Sequence, residues 1–458
     1  MTQRMAVVLA AGKGTRMKSD LHKVLHQVAG QPMIDHVIRA LEACQMDQIV
    51  TIIGHDGDQV SQAIGERSEF VWQEEQLGTG HAVLQAKSVL EGKKGATLVI
   101  AGDTPLISPE TLEAVFNYHQ SQDAKATILT ALATNPTGYG RVVRSENGLV
   151  SHIVEQKDAN PEELMVKEIN TGTYVFDNEL LFKMLEKVTN DNAQGEYYLP
   201  DVIGLLKEAG ETVSAFMMEN MDEAIGINDR VALAEANRLM RDRITRQHMM
   251  TGVTFINPSS VEIGIDVHIG PDTVIGPGVQ LVGQTSIGSH SYIGSNSVIV
   301  DSQLADHVEI HQSVIEESTV DSYSDIGPMA HLRPNSHLGQ HVHIGNFVEV
   351  KNSRIGNYTK AGHLSYIGDA SLGESINIGC GTTFVNFDGK NKFRTTVGDE
   401  AFIGSGTNLI APLKVGRRAI VAAGSTITDD VESESLAIAR EKQASIPNYW
   451  DRFMSDNK

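Results

Sequence analysis

Between Ile263 and Val298 the chain repeats every six residues, as IGIDVH, IGPDTV, IGPGVQ, LVGQTS, IGSHSY and IGSNSV. An aliphatic residue opens each hexad, glycine often follows, and a small or β-branched residue stands four places on. A period of six suits neither a helix nor an alternating strand. It suits a parallel β-helix, in which each short face of a coil turns one aliphatic residue inward and ends at a small-residue corner. Stacked coils then bury a column of Ile, Val and Leu, and each strand pairs with the coils above and below. The pattern resumes at Ile326-Gly327 and recurs through Leu338, Ile344, Ile355, Ile367, Leu372, Ile378, Val397, Ile403 and Val415, each followed by glycine. A solenoid is expected from about Gly252 to Asp429. The stretch Phe384–Thr396 (FVNFDGKNKFRTT) does not fit the repeat and reads as a loop thrown out from the column, where function often resides. The last thirty or so residues read as a short polar tail.

The first 228 residues follow a different rule. Met5–Leu9, Ile49–Ile53 and Thr97–Ile100 are apolar, strand-like runs, and Pro32–Ala43 and Gly80–Val89 read as helices between them. Continuous apolar strands alternating with helices indicate a parallel sheet covered on both faces. Ligands of such sheets bind beyond the carboxyl ends of the strands. From Asp229 to about Met250 the chain lacks Gly and Pro and is rich in Ala, Leu, Met and Arg. This predicts a linker helix roughly 30 Å long, capped by Asn228 or Asp229. The expected division is 1–228, a linker at 229–251, and 252–458.

Bulk properties narrow the partners. A net charge of −21 argues against general nucleic-acid binding and against an anionic membrane surface. Ala6–Ala11 is too short for a secretory h-region and runs into GKGTR without a cleavage site. No stretch approaches the roughly 20 apolar residues that span a bilayer, so membrane insertion is not expected. Cys44 and Cys380 lie far apart in sequence and suggest no disulfide framework. A soluble, cytoplasmic protein is expected.

Two stretches carry chemistry. Leu9-Ala10-Ala11-Gly12-Lys13-Gly14-Thr15-Arg16 follows the first strand, and its glycines let backbone N–H groups approach a phosphate chain. Lys13, Arg16 and the nearby Lys23 add positive charge. Asp103 follows the strand TLVIAG, which puts a carboxylate at the sheet's carboxyl edge, a natural Mg²⁺ ligand beside substrate phosphates. In the solenoid, Arg333 and Lys351 each follow the aliphatic position of a hexad and stand eighteen residues apart, one coil. They should stack on neighbouring coils, roughly 5 Å apart along the backbone. Such a pair is best explained by an anion between them, and arginine suits phosphate. Register shortens by one residue between Val350 and Ile355, so counting cannot place His363 on a face.

The motifs LAAGKGTRM, HKVLH, QEEQLGTGHA, AGDTPL, GYGR, VEQKDA, INTG and NAQGEYYLPD occur in that order, followed by AGHLSY and the hexads. The first set resembles a sugar-1-phosphate nucleotidyltransferase. Together, over nearly the full length, they resemble the bifunctional bacterial N-acetylglucosamine-1-phosphate uridylyltransferase/glucosamine-1-phosphate acetyltransferases. That resemblance implies a Rossmann-like α/β domain, a linker helix and an all-β domain, a left-handed parallel β-helix. It implies that Leu9, Ala10, Gly12, Lys13, Gly14, Arg16 and Lys23 hold the triphosphate and sugar phosphate of UTP and N-acetylglucosamine-1-phosphate. Gln73, Gly78 and Thr79 would read uracil, Asp103 and Asn228 would bind Mg²⁺, and Gly140, Glu155, Asn170 and Thr171 would seat the sugar.

For the solenoid the resemblance implies a second site. His363 would be the base that deprotonates glucosamine-1-phosphate for attack on acetyl-CoA, a role imidazole chemistry suits. Arg333, Lys351, Tyr366 and Asn377 would hold the sugar phosphate. Cys380, Asn386, Phe387, Ser405, Ala423 and Arg440 would line the coenzyme A site. Two positions depart from the family pattern: Cys380 stands where Ala is usual, adding a thiol open to alkylation, and Phe387 stands where Tyr is usual, losing a hydroxyl. The resemblance further implies a homotrimer with each site between columns. Two other readings compete: a single-activity sugar-1-phosphate nucleotidyltransferase with a structural or regulatory β-helix, and a scaffold with a degenerate N-terminal site. A spacer needs none of Arg333, Lys351 or His363, and a scaffold has no use for intact Lys13, Lys23, Asp103 and Asn228.

Overall fold

The computed structural model describes residues 3–146 and 148–455. The chain forms two compact units, Met1–Met240 and Arg241–Lys458. The helix Arg230–Met250 spans that division, and the Asp229 carboxylate caps it by accepting from the backbone N–H groups of Val231 and Ala232 at 3.0 and 2.9 Å. No described helix is long and apolar enough to cross a membrane.

In the first unit the strands lie in the order Val213–Met217, Ala126–Leu132, Glu168–Asp177, Gly95–Ala101, Gln3–Ala10, Gln48–Ile53 and Glu69–Trp72. The strands centred on Gln3–Ala10 are parallel, and apolar clusters cover both faces, as continuous apolar strands require. One strand departs from the all-parallel expectation: Glu168–Asp177 runs antiparallel to both neighbours. After Ala126–Leu132 the chain makes a hairpin, Gly140–Arg144 with Val150–Val154, and the hairpin pairs with Glu168–Asp177. The chain therefore re-enters the sheet from the edge it had left, which reverses its direction. The expected helix Gly80–Val89 forms as two segments, Thr79–Gln85 and Lys87–Leu90.

The second unit is a three-faced solenoid of parallel rungs. Ten successive pairings carry one face from Phe255 to Ala437, with Ile275, Ile293, Ile310, Ile326, Ile344, Ala361, Ile378, Ile403 and Val421 between them. At about 4.8 Å per rung this face is about 48 Å tall. It runs one coil beyond the expected end, because Leu436–Ala437 pairs with Ile420–Val421; a short helix, Tyr449–Ser455, follows. The rung step is not constant. It shortens from eighteen residues between Leu281 and Ile299 to sixteen between Ile299 and Ile315, which is why the hexads fade there while the buried column continues through Ile310 and Ile315.

Corners take the left-handed conformation with side chains as well as glycine. His290, His307, Tyr323, His341 and Tyr358 all have φ between 55 and 64°. Their rings stack up one corner with centroids 4.8–5.0 Å apart and planes within 9°, the spacing that one residue per rung imposes.

The interruption of the repeat is narrower than expected. Phe384 is fully buried in the strand Thr383–Val385, and Thr395–Val397 is again a strand. Ile378 pairs with Ile403, a step of 25 residues, and Asn386–Arg394 takes up the excess. A large apolar residue at an inward position fills the column, and only the polar remainder leaves it.

In the first unit His119, on the helix Pro109–Ser121, is 8% exposed and its Nδ1 bonds Thr127 Oγ1 at 2.8 Å. Burial pushes this imidazole down to about 4. The unfolded chain binds a proton near pH 6.5 that the folded chain refuses until lower pH, so stability falls as pH drops through that window. His119→Gln should flatten the fall; urea midpoints at pH 4.5 and 7 for both proteins will measure it.

Candidate active sites

The first site lies at the carboxyl edge of the N-terminal sheet. Gly14 opens the turn Thr15–Met17 with φ +58°, and a Cβ there would lie 2.5 Å from the Lys23 Cβ. Glycine is what allows the two loops to lie against each other. Lys23 Nζ donates to Asn228 Oδ1 at 2.8 Å and pairs with Asp103 Oδ2, and Arg16 Nη2 donates to the same Asn228 oxygen at 2.8 Å. Backbone bonds hold the frame: Gly102 N donates to Leu9 O at 2.9 Å and Ile227 N to Asp103 O at 3.0 Å. Residues from four separate stretches thus converge.

Leu9, Ala10, Gly12, Lys23, Gln73, Gly78, Thr79 and Asp103 line one open cleft of about 320 Å³, within the range of small-molecule sites. Lys13 and Arg16 are exposed on the adjoining loop. The Gln73 amide is buried and oriented by Gly78 O at 3.3 Å and His81 Nδ1 at 3.0 Å. Gly78 has φ +114°, and a Cβ there would meet Tyr197 O at 2.6 Å. Thr79 Oγ1 accepts from Leu199 N at 3.1 Å, so the segment after NAQGE closes behind this turn. His22, in HKVLH, has both ring nitrogens buried without a partner, and burial holds its pKa down, which leaves Lys23 as the cation of that motif.

Gly140 faces Asn170 across an antiparallel pair, and Glu155 Oε1 lies 3.0 Å from where a Gly140 Cβ would stand. Burial, then the neighbouring Asp158 and Asp201, raise the Glu155 carboxyl above its usual range. Asn170 Nδ2 donates to Tyr174 Oη at 2.6 Å, and the Thr171 hydroxyl is turned to Leu129 O at 2.7 Å. Gly140, Glu155 and Asn170 therefore form one group.

The second site occupies a face and a corner of the solenoid. Leu332 pairs with Val350, so Arg333 and Lys351 stand one above the other, with Gly368 on the next rung. Arg333 is not a bare cation. Its Nη1 donates to Glu349 Oε1 at 2.9 Å, which raises its pKa and partly balances its charge. Lys392, from the Asn386–Arg394 excursion, lies against Lys351, and this ammonium is the main cause holding the Lys351 amine below the usual lysine range. Nothing in the repeat pointed to Lys392; its place depends on how the excursion folds.

His363 pairs with Asn346 at a corner. The pairings Tyr366–Thr383, Thr383–Asn408 and Asn408–Thr426, read three residues back, align His363, Cys380, Ser405 and Ala423 on successive coils. At one β-spacing per rung, Ala423 stands about 14 Å above His363. Arg440 donates to Ala423 O from the following turn. The exposed Cys380 thiol is the rung directly above His363. Tyr366 shares the face of Arg333 and Lys351, and Asn386 Nδ2 donates to its hydroxyl at 3.4 Å. Phe387 is exposed, bridged to Lys392 across the excursion. Asn377 does not join this face; it pairs with Lys360 and Phe402 on the face before the corner.

Comparison with known proteins agrees with this architecture. The nucleotidyl transferase family matches residues 5–243, the six-repeat bacterial transferase hexapeptide family residues 266–301, and the hexapeptide repeat of succinyl-transferase residues 394–429. A bifunctional protein GlmU of Levilactobacillus brevis is 55% identical over 99% of this chain and 98% of its own length. Those of Exiguobacterium sp. and Listeria monocytogenes are 56% and 55% identical, over 98% and 97% of this chain and 100% and 97% of theirs. This chain belongs to the bifunctional GlmU family. It is a transferase with uridylyltransferase and N-acetyltransferase activities, and the single-activity reading is not favoured.

Sequence reasoning missed His81 and Lys392. His81 stands in a quoted motif, QEEQLGTGHA, and a buried glutamine needing an orienting partner was the available signal. The Gly14 contact gives a test of the first site. Gly14→Ala should displace Lys23 and lower uridylyl transfer by at least tenfold, the scale of a misplaced reacting group, with acetyl transfer unchanged, as parallel assays of the two half-reactions will show.

Proposed function

We propose that this enzyme makes UDP-N-acetylglucosamine in two steps. The solenoid acetylates glucosamine-1-phosphate from acetyl-CoA, and the N-terminal unit then transfers UMP from UTP to N-acetylglucosamine-1-phosphate. The observation that carries this reading is the solenoid corner: a histidine at the foot of a column of small residues, on the strand whose Gly368 stacks over Lys351 and Arg333.

In the first step Arg333, Lys351 and Lys392 hold the sugar phosphate, and Tyr366 and Asn377 orient the ring. His363 accepts a proton from the ammonium of glucosamine-1-phosphate. The freed amine attacks the thioester carbonyl of acetyl-CoA, the C–S bond breaks, and coenzyme A leaves as the thiol. The donor's extended arm lies along Cys380, Ser405 and Ala423, with Asn386, Phe387 and Arg440 at its sides. Small residues at these rungs leave room for it.

In the second step a phosphate oxygen of the sugar attacks the α-phosphorus of UTP in line, and pyrophosphate leaves. The nucleophile is already an anion, so no base is needed; positioning and charge neutralisation supply the rate. Lys13, Arg16 and Lys23 hold the phosphates, Gln73, Gly78 and Thr79 read uracil, and Gly140, Glu155, Asn170 and Thr171 seat the sugar. Asp103 and Asn228 fit Mg²⁺. Their oxygens converge on one cationic point, the Lys23 ammonium, and form the small all-oxygen donor set that this ion completes with phosphate and water. When bound, the ion neutralises phosphate charge.

We infer a homotrimer. Met329, Phe347 and Leu364 stack up the His363 corner at left-handed φ and are 49, 61 and 58% exposed. Large apolar side chains in that conformation on successive rungs make an exposed stripe of the kind that subunit contacts cover. Asn377, on the other side of this corner, would then complete a neighbour's site. Two unpaired cysteines suit a reducing cytoplasm.

His363→Ala should lower acetyl transfer by 10²- to 10⁴-fold, the range for loss of a general base, and spare uridylyl transfer. Asp103→Ala should do the reverse. Full acetyl transfer by His363→Ala would overturn the assignment of the base.

A further inference from the structure

Asp369 lies outside every role assigned above. It is 7% exposed, in the left-handed conformation (φ 50°), directly after the strand that carries His363 and Tyr366. A buried carboxylate requires donors. It has two, and they come from the rungs on either side: Asn352 Nδ2 and Asn386 Nδ2 both donate to it. The three residues are seventeen apart in each direction and form one corner stack, amide–carboxylate–amide.

The stack governs the excursion. Asn386 is its first residue, and Asn386 O accepts from Phe393 N at 2.8 Å. At the other end Thr395 N donates to Asp369 O at 3.2 Å. Asp369 therefore holds both roots of the segment that carries Phe387 and Lys392. The amide that Asp369 orients also donates to the Tyr366 hydroxyl at 3.4 Å. Gly368 is the floor under both groups: a Cβ there would meet Tyr366 Oη at 2.4 Å and Asn386 Nδ2 at 2.8 Å. On the remaining side Asp369 N donates to Lys351 O at 3.0 Å.

We propose that Asp369 is a positioning residue for acetyl transfer, whose carboxylate fixes Asn386 and through it the Tyr366 hydroxyl and the segment bearing Phe387 and Lys392. The proposal rests on the reading that Tyr366 and Asn386 belong to the acetyl-transfer site. The carboxylate matters because it accepts on both oxygens. An asparagine there would turn an NH₂ group against one of the two amide donors and leave it unpaired.

The test uses the full-length chain and four variants: Asp369→Asn, Asn386→Asp, the two together, and Tyr366→Phe. Acetyl transfer is followed by thiol release at varied acetyl-CoA and glucosamine-1-phosphate, and uridylyl transfer reports that each chain is intact. Asp369→Asn and Asn386→Asp should each lower acetyl-transfer kcat/KM about tenfold or more, the scale seen when an orienting partner is lost, with uridylyl transfer unchanged. The double variant restores a complementary pair, with amide and carboxylate exchanged, and should recover most of that loss. A purely structural carboxylate would lower the solenoid's melting temperature in Asp369→Asn while leaving kcat and KM alone, and that outcome overturns the proposal. So does a double variant no better than the worse single one. If Tyr366→Phe and Asn386→Asp both keep full acetyl transfer, the site reading itself fails; if they are impaired and Asp369→Asn is not, only the present proposal fails.

Discussion

Backbone hydrogen bonds between residues one coil apart hold the rungs of the solenoid at a single β-spacing, and what that unit displays follows from the repeat. Inward positions stack Ile on Ile, corners stack ring on ring from His290 to Tyr358, and one outer face stacks Arg333 under Lys351. The ladder converts a sequence interval into a distance. A column of His363, Cys380, Ser405 and Ala423 is therefore a linear track of known pitch. Gly379 and Gly404 are part of that track, since a Cβ on either would lie within 2.5 Å of the backbone above.

The N-terminal unit solves a different problem. Its cleft brings cations and oxygen donors together from distant stretches. Lys23, Asp103 and Asn228 meet because backbone bonds link Leu9 to Gly102 and Asp103 to Ile227. The loop glycines allow close approach, and the sheet's carboxyl edge sets the direction. Both units use a rigid scaffold to impose short distances on charged groups that would otherwise separate in water.

Where structure departed from expectation, the cause was in each case a contact that counting residues does not supply. Phe384 looked like loop because it precedes a polar stretch, yet it fills the column. The apolar runs implied a parallel sheet, yet the hairpin before Glu168–Asp177 turns that strand round. Arg333 and Lys351 were read as a pair with an anion between them, yet the Glu349 carboxylate already stands beside Arg333. Positions on the rungs were legible where the hexads were regular, as for Arg333 and Lys351, and illegible for His363, where the register slips. Lys392 and Asp369 meet partners that no local pattern marks, whereas His81 stands eight residues from its partner Gln73, inside a quoted motif.

The sequence alone determined the solenoid, because a six-residue aliphatic period has one economical way to bury itself, and it determined the α/β unit, because apolar runs alternate with helical ones. Its ordered motifs also identified the family. Only tertiary structure decided which corner His363 occupies, that Asn377 stands on a different face from Tyr366, that Lys392 returns to Lys351, and that Asp369 lies between two amides. The physical reason is the same throughout: rung lengths vary between sixteen and twenty-five residues, and a side chain's neighbours on a coiled scaffold depend on the sum of every rung before it.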